Sequence, residues 1–88
     1  MKKENYENDI LKADLLLSDY TLAEGDAEEQ KIYIDLLDKY VMRLEDPTIT
    51  ALFINLTSTN KEDEREIYTQ ILVDTLEDKK REVLGYGE

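Results

Sequence analysis

The stretch Asp46-Pro47-Thr48-Ile49-Thr50-Ala51-Leu52-Phe53-Ile54-Asn55-Leu56 decides the fold class, because it supports two readings. Thr48, Ile49, Thr50 and Ile54 are β-branched and favour a strand. Ile49, Leu52, Phe53 and Leu56 recur instead at the spacing of one helical face. Two features decide for the helix. Asp46 is a preferred N-cap, and proline is favoured at the first helical position, where its missing donor would be unpaired anyway. A lone strand would also have no partner, since the chain offers no second strand candidate. Residues 48–56 are therefore expected to form a short buried helix.

Working outward towards the N-terminus, Tyr33, Leu36, Leu37, Tyr40, Val41 and Leu44 form the apolar stripe of a helix that begins at Asp26. Asp26 and Glu29 have capping-box spacing, and Glu28 and Glu29 suit the positive end of the helix dipole. Gly25 suits the left-handed position that ends the preceding helix, which runs from about Glu4 to Ala23. Its main stripe is Tyr6, Ile10, Ala13, Leu17 and Tyr20, and Leu11, Leu15 and Leu22 form a second. A helix with two apolar stripes touches two neighbours, or one neighbour and a partner molecule. The short connection Glu24-Gly25-Asp26 makes these two helices an antiparallel hairpin.

Towards the C-terminus, Thr57-Ser58-Thr59-Asn60 is the next break, and Thr59 with Glu62 again has capping-box spacing. A last helix is expected to run to about Leu84, with Ile67, Tyr68, Ile71, Leu72, Leu76 and Val83 facing inward. Lys79, Lys80 and Arg81 complement its dipole, and Gly85 stops it. The mixed run Glu77 to Glu82 is a solvated helix end, and residues 85–88, including Tyr86, are expected to be a mobile tail. The expected fold is all-α: a small antiparallel bundle of three long helices plus one short buried helix, one domain over residues 1–84.

Composition narrows the chemistry. A chain of 88 residues with 41% apolar content is one small domain with enough material for a core. It has no cysteine, which excludes disulfides, zinc–thiolate sites and thiol nucleophiles, and fits a reducing cytoplasm. Without histidine it lacks the commonest general base, the serine and cysteine triads, and the usual nitrogen ligand for metals. Glu24-Gly25-Asp26-Ala27-Glu28 does not meet the spacing of a calcium loop, and there is no glycine-rich phosphate loop. No catalytic residue, cofactor or metal is expected, and no stretch is apolar enough for a membrane span.

The charge is distributed unevenly. Eleven acidic residues lie between Glu4 and Asp38 against Lys12 and Lys31 alone. Such a field repels nucleic acid and anionic membrane and favours a basic protein surface. Asp26, Glu28 and Glu29 are accounted for by the start of a helix. Asp9, Asp14, Asp19 and Glu24 have no local structural reason, which makes them the expected partner-binding surface. The function expected from this is a non-catalytic binding module that occupies a basic surface, such as that of a nucleic-acid-handling enzyme, and so inhibits it. The residue usage is compatible with a small bacterial or phage gene product. The alternative is a structural or assembly protein, or an assembly chaperone, acting as a helical homo-oligomer. In that reading Leu11, Leu15 and Leu22 are covered in a homodimer.

Overall fold

The computed structural model describes residues 3–85, with side chains from residue 6 onward. It contains four helices: α1 (Lys3–Leu22), α2 (Ala27–Leu44), α3 (Pro47–Ser58) and α4 (Glu62–Leu84). No strand occurs among the described residues, so the all-α reading of residues 48–56 holds. None of the helices is long and apolar enough to cross a membrane.

The caps explain why the chain turns where it does. Asp46 has an extended backbone, and its Oδ1 accepts from Thr48 N at 2.9 Å and Ile49 N at 3.2 Å, with Pro47 opening α3 behind it. Asp26 caps α2 in the same way, accepting from Glu29 N at 3.1 Å. The reciprocal half of that capping box is absent: Asp26 N donates to Ala23 O at 3.0 Å, and the Glu29 carboxylate accepts from Tyr33 Oη at 3.2 Å. The Thr59–Glu62 box does not form. Lys61 occupies the N-cap of α4, while Thr59 accepts from Lys61 N and donates to Glu64. Gly25 at φ +96° and Gly85 at φ +75° supply the left-handed turns after α1 and α4. Of the expected tail, only Gly85 falls within the described residues, and there it caps α4.

The helices run alternately up and down within 35 × 22 × 22 Å. Each packs closely against two neighbours, α1 on α2 and α4, and α3 on α4 and α2, and among the described residues the backbones of the diagonal pairs stay apart. The core between them is Ile10, Ala13, Leu17 and Tyr20 from α1, Leu37, Val41 and Leu44 from α2, Ile49, Phe53 and Leu56 from α3, and Leu72 and Leu76 from α4. Each large aliphatic side chain among them contributes about 1.5–3 kcal/mol by leaving water.

Three side chains expected inside lie outside. Ile67 and Ile71 of α4 and Leu36 of α2 are exposed. The reason is geometric. A helix with only two neighbours covers one stripe, and on α4 the stripe Tyr68-Leu72-Leu76 takes that place.

Candidate functional site

The four acids singled out on α1 and its exit have different fates. Asp9 is buried, at 3% exposure, and its Oδ2 lies 3.3 Å from Arg43 Nε of α2. Arg43 also sits over the Tyr40 ring, 5.7 Å from its centroid. Asp14 is half-buried, and its Oδ2 accepts from Lys80 Nζ of α4 at 3.0 Å. Both therefore have a structural reason, but a tertiary one, which helical spacing within α1 cannot reveal. The structure brings neither into an open acidic surface. Asp19 is half-buried beside Tyr33, and Glu24 is exposed in the turn after α1. The hydrogen bond to Glu29 and the nearby charges of Glu29 and Asp19 push the Tyr33 phenol above its ordinary pKa.

A third interhelical pair fastens the same end of the bundle, with Lys79 Nζ 3.4 Å from Asp46 Oδ2. Partial burial pushes the Asp46 carboxyl up. The hydrogen bonds from Ile49 N, Lys79 and Thr48 N and the Lys79 charge outweigh that, holding it below the ordinary carboxylate value. Lys79 is raised in return, by its hydrogen bond to Asp46 and by the charges of Asp46 and Glu82.

The opposite end is built differently. There α1 finishes, α2 begins, α3 finishes and α4 begins. Among the described residues it gathers nine acids: Asp19, Glu24, Asp26, Glu28, Glu29, Glu62, Asp63, Glu64 and Glu66. Only Lys31, Lys61 and Arg65 stand against them, and the one ion pair formed there is Lys61–Glu64 at 3.6 Å, within a single turn. Glu28, Glu29, Glu62, Asp63 and Glu64 also suit the N-termini of α2 and α4. The sequence signal for the contribution of α4 was its acidic first turn. Joining it to Glu24 required knowing that α4 packs on α1.

Between these elements lies an open groove of about 580 Å³. Tyr20, Gln30, Arg65 and Thr69 line its floor or walls, and Glu24, Glu62 and Glu66 contribute carboxylates. Gln30 Nε2 donates to Tyr20 O at 3.2 Å, tying α2 to the end of α1. Burial pushes the Tyr20 phenol above its ordinary pKa, and the Arg65 charge and the hydrogen bond with Thr69 pull it partly back. Among the described residues no group of three or more carboxylates converges as a metal site.

The second stripe of α1 is exposed: Leu11 at 41%, Leu15 at 56% and Leu22 at 83%. Comparison with protein-family models, with curated proteins and with solved structures finds no match to this chain.

Proposed function

We propose that this chain is a non-catalytic binding protein that docks on a basic surface of another protein, through the end of the bundle where α1 finishes and α2 and α4 begin. The observation that carries this reading is the location of carboxylates not used in ion pairs. Glu24, Glu28, Glu62, Asp63 and Glu66 are exposed there, on the turn after α1, on α2 and on α4. Carboxylates held on a rigid scaffold speed the approach of a basic partner and set its orientation more than they add raw affinity. The nucleic-acid-binding face of an enzyme is the best-matched target, since it is shaped to receive closely spaced negative charge. Occupation of such a face is inhibition.

Asp9 and Asp14 drop out of the proposed contact surface because they are already engaged with Arg43 and Lys80. The test is a pulldown from a bacterial lysate with the wild-type chain and with the combined variant Glu24→Gln, Glu62→Gln, Glu66→Gln. A basic nucleic-acid-binding protein should be retained by the wild type at low salt, released at moderate salt and not retained by the variant. Equal retention by the two chains would sink the reading.

A second reading is a helical homo-oligomer with an assembly role, and the exposed Leu11, Leu15 and Leu22 favour it. Light scattering at micromolar concentration decides it. A dimer that Leu11→Glu with Leu15→Glu dissociates supports assembly, whereas a strict monomer removes it.

A further inference from the structure

Arg65 is the odd cation of this chain. Among the described residues three basic side chains are half-buried, Arg65, Lys79 and Lys80. Lys79 holds Asp46 and Lys80 holds Asp14. No carboxylate of a described residue lies within ion-pair distance of Arg65, although twice as many acids as bases are present in the sequence. Its one protein hydrogen bond runs from Nη2 to Thr59 O at 3.3 Å, so most of its five N–H donors have no protein acceptor. Arg65 lines both the groove of about 580 Å³ and a second one of about 320 Å³ between α2, α3 and α4, as do Tyr20 and Gln30.

We propose that this groove is the selectivity point of the docking end, and that Arg65 there receives one carboxylate side chain, Glu or Asp, displayed within a basic stretch of the partner. The proposal rests on the docking reading above. Charge decides the class of occupant. A free anion must enter past Glu24, Glu62 and Glu66 and against the net charge of the whole chain, −11. A carboxylate flanked by lysines meets no such barrier, since its neighbours engage the rim while it engages the guanidinium. An arginine fork and a carboxylate match in shape as well as charge, so the contact is directional. Gln30 and Thr69 add neutral polar groups beside it.

The experiment uses the full chain and two synthetic peptides, Lys-Lys-Gly-Glu-Gly-Lys-Lys and the same sequence with Gln in place of Glu. Binding is measured by fluorescence anisotropy at about 0.05 M and about 0.15 M salt. The field of the protein alone favours the Gln peptide, which carries more positive charge. An Arg65–carboxylate contact reverses that order, and the Glu peptide should bind about tenfold more tightly. Arg65→Gln should restore the order that the field dictates, and Arg65→Lys should retain only part of the preference.

In a chain labelled with nitrogen-15 arginine, the Arg65 side-chain signals should move with the Glu peptide and not with the Gln peptide. That readout needs no variant to fold. Equal or tighter binding of the Gln peptide to the wild type would overturn the Arg65 proposal and leave the docking reading standing. If neither peptide binds in a salt-dependent way, both readings fall. A Glu preference that survives Arg65→Gln would also overturn the assignment.

Discussion

The two ends of this bundle use the same kinds of residue for opposite purposes. Where α1 begins and α4 finishes, the acids reach cations on neighbouring helices. Asp9–Arg43 ties α1 to α2, Asp14–Lys80 ties α1 to α4, and Asp46–Lys79 ties the start of α3 to α4. At the other end, among the described residues, nine acids face three bases, and the one ion pair lies within a single turn at the start of α4. The difference comes from the placement of cations, not of acids. Lys79, Lys80 and Arg81 close α4, so positive charge collects where that helix ends and is scarce where it starts. One end is fastened and the other is left available.

Removing a cation from the fastened end should give the largest effect. Arg43→Ala leaves the Asp9 carboxylate buried without its partner, and should lower stability by about 2–3 kcal/mol in urea denaturation. Asp9→Asn should cost less, because Arg43 is half-exposed and can turn to water. Equal costs would mean that the pair is not what holds Asp9 inside.

Asp46→Ala should come next, at about 1–2 kcal/mol, since it removes the cap of α3 and the tie to Lys79 together. This effect carries a pH signature. The lowered Asp46 pKa contributes stability that is present above its unfolded value, about 3.9, and is lost as pH falls through the folded value. The raised Lys79 pKa contributes stability that is present below about 10.4 and is lost as pH rises through its folded value. The gap between wild type and Asp46→Ala should therefore narrow below about pH 4 and again above about pH 10.4. A gap that stays constant at both extremes would assign the cost to something other than this pair.

The turns at the two ends also differ, and exchanging their residue types should give smaller effects of opposite sign. The open end turns at Gly25, φ +96°, whereas the fastened end turns at Glu45, which carries a side chain at φ +52°. Gly25→Ala should cost about 1 kcal/mol through backbone strain, since nothing crowds the added methyl group. Glu45→Gly should raise stability by about 0.5–1 kcal/mol by relieving the same kind of strain. Thermal melts read both, and a loss from Glu45→Gly would show that its side chain has a role beyond the turn.

The helices were legible in the sequence because their signals are local. Asp46-Pro47, Gly25-Asp26 and Gly85 act within a turn of themselves, and each is found where its chemistry requires. The core of α1 was legible for a related reason: one stripe of period 3.6 fixes one buried face. Apart from the Thr59–Glu62 capping box, where Lys61 takes the cap position, what failed depended on neighbours. Ile67 and Ile71 look as apolar as Leu72, but which stripe is covered depends on how many helices α4 touches. The structural reason for two α1 acids was hidden in the same way. Asp9 and Asp14 lacked a reason only while Arg43 and Lys80 were far away in sequence, and folding supplies one. The groove around Arg65 had no sequence signal, because its walls come from α1, α2 and α4.

The smallest stability change is expected at the open end, and it tests the contrast most sharply. Glu24, Glu62 and Glu66 are exposed and hold no cation, so replacing any one of them by Gln removes repulsion as well as charge. Glu62 lies in the first turn of α4, where its loss costs a few tenths of a kcal/mol in helix-dipole energy, and relief of like-charge repulsion offsets that. Each substitution should shift stability by no more than about 0.5 kcal/mol, in either direction. Acids kept for folding would cost more, as Asp46 should. If the three Gln substitutions together destabilise the chain as much as Asp46→Ala does, the open end is structural after all, and its carboxylates are not free to serve a partner. If they leave the melt unchanged while binding to a basic target disappears, the division between a fastened end and a recognising end stands.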